Sequence, residues 1–308
     1  MRQTSLNMVY ELAKTNDKIV FVGSDLGPGV LNDFKNNIPN RFFMEGIAEQ
    51  FIIGFAAGLA KEGFIPYVNT IATFITRRCF EQLTIDLSLH NLPVRLIGNG
   101  GGLVYAPLGP THQAIDDIAI LKAIPNMTIV CPCDSNEMKK LMIESVSWPH
   151  PIYIRLGRGG EEVVTADNYQ FKIGESTILK SLSKAVFITS GTMAQKALKA
   201  SKILKEKDNI DVGVLHMHTI QPFDKESIRS LIPDVELIVT VEEHILSGGL
   251  GTSVIEFLSD NNFLSKIKVI RVGLENKFVT KYGSQDELHD HFGLSVENLT
   301  NIIRENSK

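Results

Sequence analysis

What the chain lacks narrows its class before any motif is read. No apolar run approaches the roughly 20 residues that a membrane-spanning helix needs, and the amino-terminal stretch MRQTSLNMVYELAKTND is amphipathic, without a hydrophobic signal core. A cytoplasmic protein with no membrane partner is expected. Positive charge is not in excess either: 31 Lys and Arg against 35 Asp and Glu leave a net charge of −4. Such a balance supplies no basic field for counterion release, so nucleic acid is set aside as a partner. Only three cysteines occur, Cys79, Cys131 and Cys133, an odd number in 308 residues that excludes a disulfide framework. Cys131 and Cys133 end an apolar run one residue apart, with no second Cys or His cluster beside them in the sequence. Packing on one face of a strand, and no metal site, is the expectation. Neither a G-x-G-x-x-G opening a helix after a strand nor a G-x-x-x-x-G-K-[ST] occurs, so the chain holds no complete phosphate cradle of its own.

What is present reads as a filled, globular interior: 44% of residues are hydrophobic and 21% charged. At this length two domains are the expectation. Short apolar runs, KIVFVGS, IPYVNT, VRLIGN, MTIVCP and PIYIRL, alternate with amphipathic segments such as SNEMKKLMIESVS. The alternation predicts a parallel sheet with helices on both faces. After the turn-rich LGRGGEEVVTADNYQ a second series begins with KAVFITSG, IDVGVLHM, ELIVTVEE and KIKVIRVG. The predicted fold is therefore α/β, two doubly wound domains, with residues 1–160 the first, 161–175 a linker and 176–308 a smaller second. Glycine-containing turns follow several strands, GSDLGPG, GNGGG and SGG among them. In open α/β sheets these carboxyl-end turns are where ligands bind.

Three features converge on one chemistry. Glu49 stands in the first turn of a helix continuing FIIGFAAGLA, apolar on several faces and so expected to be buried, where a carboxylate costs several kcal/mol unless protonated or partnered. In TFITRRCFEQ, Phe74, Arg77 and Phe80 are spaced to face one way on a helix. In LGPTHQAIDD, Gly109 and Pro110 make a turn that presents Thr111, His112 and Gln113. A cofactor with an aminopyrimidine ring gives all three a use. Thiamine diphosphate loses its C2 proton to its own 4′-amino group, in a tautomer promoted by a carboxylic acid that shares a proton with ring nitrogen N1′. A Glu with a raised pKa in an apolar pocket suits that task, and an aromatic face orients the ring.

These motifs carry a resemblance. GIAEQ followed by GFAAGLAKEGFIPYV, then TF with Arg77, PTHQ and YIRLGRG, resembles the pyrimidine-binding domain of the transketolase and deoxyxylulose-phosphate synthase superfamily. HTIQPFD and VTVEEHILSGGLG resemble the C-terminal domain of the same proteins and of pyruvate dehydrogenase beta subunits. The resemblance spans nearly the whole chain. No GDG occurs, whereas transketolases carry that motif and a downstream Asn for Mg²⁺ in an amino-terminal domain. The resemblance thus implies the C-terminal half of a split enzyme. An amino-terminal partner subunit would bring the diphosphate and Mg²⁺ ligands, in an α2β2 heterotetramer acting on small sugar substrates.

The resemblance implies roles residue by residue. Glu49 matches the glutamate that activates the aminopyrimidine. Phe74 matches an aromatic of the pyrimidine pocket, with Phe80 as its expected complement, and Arg77 occupies a position that is arginine in the synthases. His112 matches an active-site histidine that contacts substrate, Arg2 and Arg158 match arginines that bind a substrate phosphate, and Asp25 matches an aspartate near the cofactor. Read alone, Phe74 and Phe80 are ordinary core residues, Arg2 a solvated terminal residue and His112 a helix-start hydrogen-bonder; their joint occurrence gives them function. His216, His218, His244, His289 and His291 are read as structural, because the H-x-H pairs lack further ligands. The sugar-hydroxyl readers have changed: the transketolase acid falls at Leu108, its upstream histidine near Gly100, the synthase arginine near Gly101 and a phosphate-binding serine at Gly29. The leading expectation is a two-chain transketolase that moves a ketol unit from a ketose to an aldehyde. The alternatives are an acyloin synthase of the deoxyxylulose-phosphate type, an oxo-acid dehydrogenase beta subunit, or a non-catalytic regulatory subunit.

Overall fold

The computed structural model describes residues 1–24 and 29–307. In chain order the elements of the first half are α1 (Arg2–Thr15), β1 (Ile19–Gly23), α2 (Asn32–Asn37), β2 (Phe42–Met44), α3 (Glu49–Lys61), β3 (Ile65–Ile71), α4 (Phe80–Gln82), β4 (Arg95–Asn99), α5 (Asp117–Lys122), β5 (Thr128–Val130), α6 (Ser135–Ser145) and β6 (Ile152–Arg155). The second half holds β7 (Thr177–Lys180), β8 (Ala185–Thr189), α7 (Met193–Ile203), β9 (Val212–His216), β10 (Thr219–Gln221), α8 (Lys225–Leu231), β11 (Leu237–Ile245), α9 (Leu250–Asp260), β12 (Lys268–Leu274), α10 (Gln285–His291) and α11 (Val296–Asn306).

Strands IVFVG, RLIGN and AVFIT are buried along their whole length. Both faces of the sheets are covered by helices, so an uninterrupted apolar run is favoured over alternation. The strands order as β10-β5-β6-β4-β3-β1-β2 and β12-β11-β8-β9-β7, two α/β layers as predicted. One expectation needs correction: the sheets are not wholly parallel. β10 runs antiparallel to β5, and β7 antiparallel to β9. Both are edge strands, where an antiparallel neighbour needs no crossover helix. The first sheet thus ends on a strand supplied by the second half of the chain. Ile118, Leu121 and Met127 share a buried apolar cluster with Met217, Leu250 and Val254, which continues that junction into the core. Segment 161–175 carries no regular element and is tied down on α6, where Asn136 and Lys140 donate to backbone carbonyls of Thr165, Ala166, Asp167 and Tyr169.

A second correction concerns α3. Its apolar sequence predicts enclosure on several faces, yet Phe51 is 58% exposed and Ile47, just before the helix, 76%. Phe51 stacks on Phe55 at 6.0 Å, and both lie on the side that carries the exposed Gly54 and Gly58. Ile85 and Leu89 are also exposed, on the helical segment that packs against α3. The segments that follow β2 and β3 adjoin this open face.

Candidate active site

Glu49 is the first residue of α3, reached through a left-handed turn at Gly46 that a residue with a side chain would strain. Its carboxylate is 2% exposed. Across from it the chain after β3 forms π-helical turns at Phe74–Arg78 and Leu83–Ser88 around α4. The i→i+5 pattern widens each turn, a geometry frequent at functional sites. Arg78, four residues on, stands over Phe74, its guanidinium carbon 4.6 Å from the ring centroid, while its Nη1 donates to Glu49 Oε2 at 2.5 Å. The His112 ring meets Phe74 edge-on at 5.3 Å, and its Nδ1 lies 2.9 Å from Thr111 Oγ1. Glu49, Arg78, Phe74 and His112 therefore form one continuous arc.

The other expected residues lie around that arc. Arg77 does not reach Glu49: it donates through Nε and Nη2 to the Asp116 carboxylate, the shortest contact being 2.7 Å, and through Nη2 to the Gln113 carbonyl at 3.1 Å. It clamps the loop that presents His112. Phe80 is exposed rather than enclosed with Phe74. The amino-terminal ammonium donates to Glu161 at 3.0 Å, which sets the start of α1, with half-buried Arg2, beside the loop that carries exposed Arg158. Asp25 lies outside the described residues.

Three residues to which the sequence reading gave no individual role adjoin the arc. Arg78 is one. Gln113 is another: it is 1% exposed, and neither its Oε1 nor its Nε2 has a hydrogen-bond partner among the described residues. The third is Tyr282, 65% exposed, whose hydroxyl lies within 2.8 Å of where a Cβ on Gly109 would stand. At GNGGG the fold leaves no room for a side chain at two of the glycines. A Cβ at Gly101 would meet the Arg155 side chain at 2.6 Å, and one at Gly102 would meet Glu243 at 2.5 Å. Arg155 fills that space because its Nε donates to Asp117 at 2.8 Å and its Nη2 to the Ala114 and Glu243 carbonyls.

Among the described residues the one group of three candidate metal ligands is Cys133, Glu137 and His216. The sequence placed no histidine near Cys133; the fold does. Glu137 is already taken, accepting from Cys133 N at 2.7 Å, from Tyr169 at 2.9 Å and facing His216 Nε2 at 3.1 Å. Burial pushes its carboxyl up, but His216 and the other partners outweigh that and hold it at about 2. The buried thiol of Cys133 is raised well above its usual value, chiefly by burial. A neutral thiol beside a carboxylate whose oxygens are already taken is a structural network, and offers Mg²⁺ no hard-oxygen set.

The Glu49 and Phe74 pair does fit an aminopyrimidine. It already receives a planar N–C–N donor, the Arg78 guanidinium, set over the ring and bonded to the carboxylate. The residues that would hold the cofactor ring in this chain are Glu49 and Phe74, with His112 at the edge.

Comparisons with known proteins bear on the family and the fold. A family model for the transketolase pyrimidine-binding domain matches residues 1–160, and one for the transketolase C-terminal domain matches residues 174–299. The chain is 36% identical over 300 residues to one subunit of the apulose-4-phosphate transketolase of Phocaeicola vulgatus, covering 97% of this chain and 94% of that protein. It is 36% identical over 297 residues to 1-deoxy-D-xylulose-5-phosphate synthase of Clostridium perfringens, covering 96% of this chain but 47% of that protein. A solved structure described as a split gene transketolase, inactive beta4 tetramer, superposes with a TM-score of 0.88 at 32% identity, covering 99% of this chain and 96% of that one. With both domain models matched in order along nearly its whole length, the chain belongs to the transketolase family.

Proposed function

We propose that this chain is the C-terminal subunit of a two-chain, thiamine diphosphate-dependent transketolase. It acts in carbohydrate metabolism, moving a two-carbon ketol unit from a ketose, phosphorylated in our reading, to an aldehyde acceptor. Residues 1–160 serve as the pyrimidine-binding domain and residues 176–308 as the C-terminal domain. The observation that carries this reading is the buried Glu49 carboxylate facing Phe74 beside an open apolar rim of Ile47 and Phe51. A half-site next to an uncovered face suits a chain completed by a partner. That partner is an amino-terminal subunit with the G-D-G motif and the Mg²⁺ ligands, the pair assembling as α2β2. Thiamine diphosphate, when bound, supplies the carbon nucleophile that accepts the two-carbon unit. Glu49 holds a proton at the ring nitrogen, Phe74 orients the ring by stacking, and His112 contacts the substrate. Arg2 and Arg158, at one corner of the fold, hold its phosphate.

A second reading, an acyloin synthase with pyruvate as donor, draws on the 36% identity to a deoxyxylulose-phosphate synthase. A non-catalytic subunit is disfavoured by the presence of both Glu49 and His112 in one arc. The test is reconstitution with the amino-terminal subunit and assay with a ketose phosphate against pyruvate. Glu49→Gln, nearly equal in volume, should leave the complex assembled and lower turnover by about 10²–10⁴-fold, the usual contribution of a positioned proton-transfer group. Pyruvate turnover without ketose activity would move the chain to the second reading. Full activity of the Glu49 variant would end both.

A further inference from the structure

Arg78 has two contacts, and each belongs to the half-site. Its Nη1 donates to Glu49 Oε2 at 2.5 Å, and its guanidinium carbon lies over the Phe74 ring, 4.6 Å from the centroid. These are the acceptor and the aromatic face that an aminopyrimidine needs, and a guanidinium offers the same planar arrangement of N–H donors around one carbon. The guanidinium occupies Oε2 and one face of the Phe74 ring, so a pyrimidine seated on that same oxygen and face has to displace it.

The anchoring of the two neighbouring arginines differs. Arg77 is fixed by four contacts to Asp116 and the Gln113 carbonyl. Arg78 has one hydrogen-bond partner among the described residues, Glu49, and its side chain is 44% exposed while that of Glu49 is 2% exposed. A flexible stem with its head half in water can swing outward at low cost, but Glu49 cannot follow it. If Arg78 leaves and nothing replaces it, a desolvated carboxylate is stranded. The nearby thiol of Cys79 senses both charges: burial foremost, then Glu49, push it up to about 12, with Arg78 opposing.

We propose that Arg78 is an internal plug of the aminopyrimidine half-site. In the subunit its guanidinium stands in for the cofactor ring on Glu49 and Phe74, and it moves into solvent when the ring seats. The plug keeps the buried carboxylate satisfied until the cofactor arrives, and cofactor binding must displace it. This proposal rests on the reading of Glu49 and Phe74 given above.

The test uses the full chain alone and the reconstituted two-chain complex. With the chain alone, binding of 4-amino-2-methylpyrimidine is followed by ligand-observed NMR; with the complex, thiamine diphosphate binding is followed by calorimetry in the presence of Mg²⁺. Arg78→Ala and Arg78→Gln should each tighten binding by about tenfold, the lower end for release of one charge-assisted hydrogen bond. Glu49→Gln should abolish that gain, because the contact being relieved is the one to Glu49. Unchanged or weaker binding in both Arg78 variants would overturn the plug and make Arg78 a bystander or a support of Glu49. Thiamine diphosphate binding by the complex that ignores Glu49→Gln would instead overturn the reading of the site itself.

Discussion

Asp117→Asn is the perturbation that most directly tests how the His112 loop is held. The Arg155 guanidinium is buried among acceptors from three parts of the chain: the Asp117 carboxylate opening α5, the Ala114 carbonyl next to Gln113, and the Glu243 carbonyl on β11. Asp117 is fully buried and also accepts from Tyr153 at 2.7 Å. Replacing it by Asn keeps the volume and removes the only carboxylate on Arg155 among the described residues. Breaking a buried pair from one side costs about 3–5 kcal/mol, because the remaining charge stays desolvated. Arg155→Met should cost a similar amount by stranding Asp117. The double variant should cost distinctly less than the sum, by about 2 kcal/mol or more, since no buried ion is left over.

Urea unfolding of the full chain measures all three, with the midpoint and slope fitted separately. Limited proteolysis should find the 109–116 loop more susceptible in Asp117→Asn, because the carbonyl of Ala114 and the helix start at Asp117 are held by the same guanidinium. Loss of less than about 1 kcal/mol in Asp117→Asn, the range of an exposed pair, would refute this account. So would strict additivity of the two single variants.

Two further outcomes follow from other parts of the structure. His244 is neutral and buried: the Ala119 N–H donates to its Nε2 at 3.3 Å, so its Nδ1–H donates to the Ile245 carbonyl at 2.7 Å, and burial lowers its pKa from 6.5 to about 4. The unfolded chain takes up the proton first, so this contribution is intact above about pH 6.5 and is lost as pH falls towards 4, by of order 3 kcal/mol. Glu242, pushed up to about 7 chiefly by burial, works in the opposite sense between about 4.5 and 7, so the effect is read as wild type minus His244→Asn. A difference that stays flat from pH 7 to pH 4 would refute the assignment. Arg158→Ala should raise the apparent KM for a phosphorylated ketose by roughly 10–100-fold with kcat nearly unchanged, the loss of one charge-assisted phosphate contact. An equal loss with the unphosphorylated sugar would show that Arg158 does not read phosphate.

The strands that form the sheet centres were legible because β1, β4 and β8 are covered on both faces, and burial on both faces writes an unbroken apolar run. β7 and β10 were not: they are short edge strands, and their pairing with β9 and β5 is decided by what tertiary structure brings alongside. Glu49 could be found because a carboxylate opening an apolar helix conflicts with its surroundings, and such conflicts mark sites. Arg78 could not, since Arg77 and Arg78 stand three and four residues after Phe74, both spacings share a helix face, and only the tertiary partners, Asp116 for one and Glu49 for the other, tell them apart. The orphaned amide of Gln113 and the approach of Tyr282 to Gly109 exist only once distant segments meet.

The conflict over α3 is of a different kind. Its composition calls for burial, and the fold leaves Phe51 and Ile47 open. The same sequence lacks a phosphate cradle and a G-D-G motif. An apolar face left uncovered and half of a cofactor site left out are accounted for together if one further chain supplies both the cover and the missing ligands. On that account the side chains around Glu49 were selected for an environment this subunit does not make by itself. Arg78 then has a physical reason to be where it is: a buried carboxylate needs a partner in the interval before assembly, and a partner with one hydrogen bond and a half-exposed side chain is the kind that can be displaced.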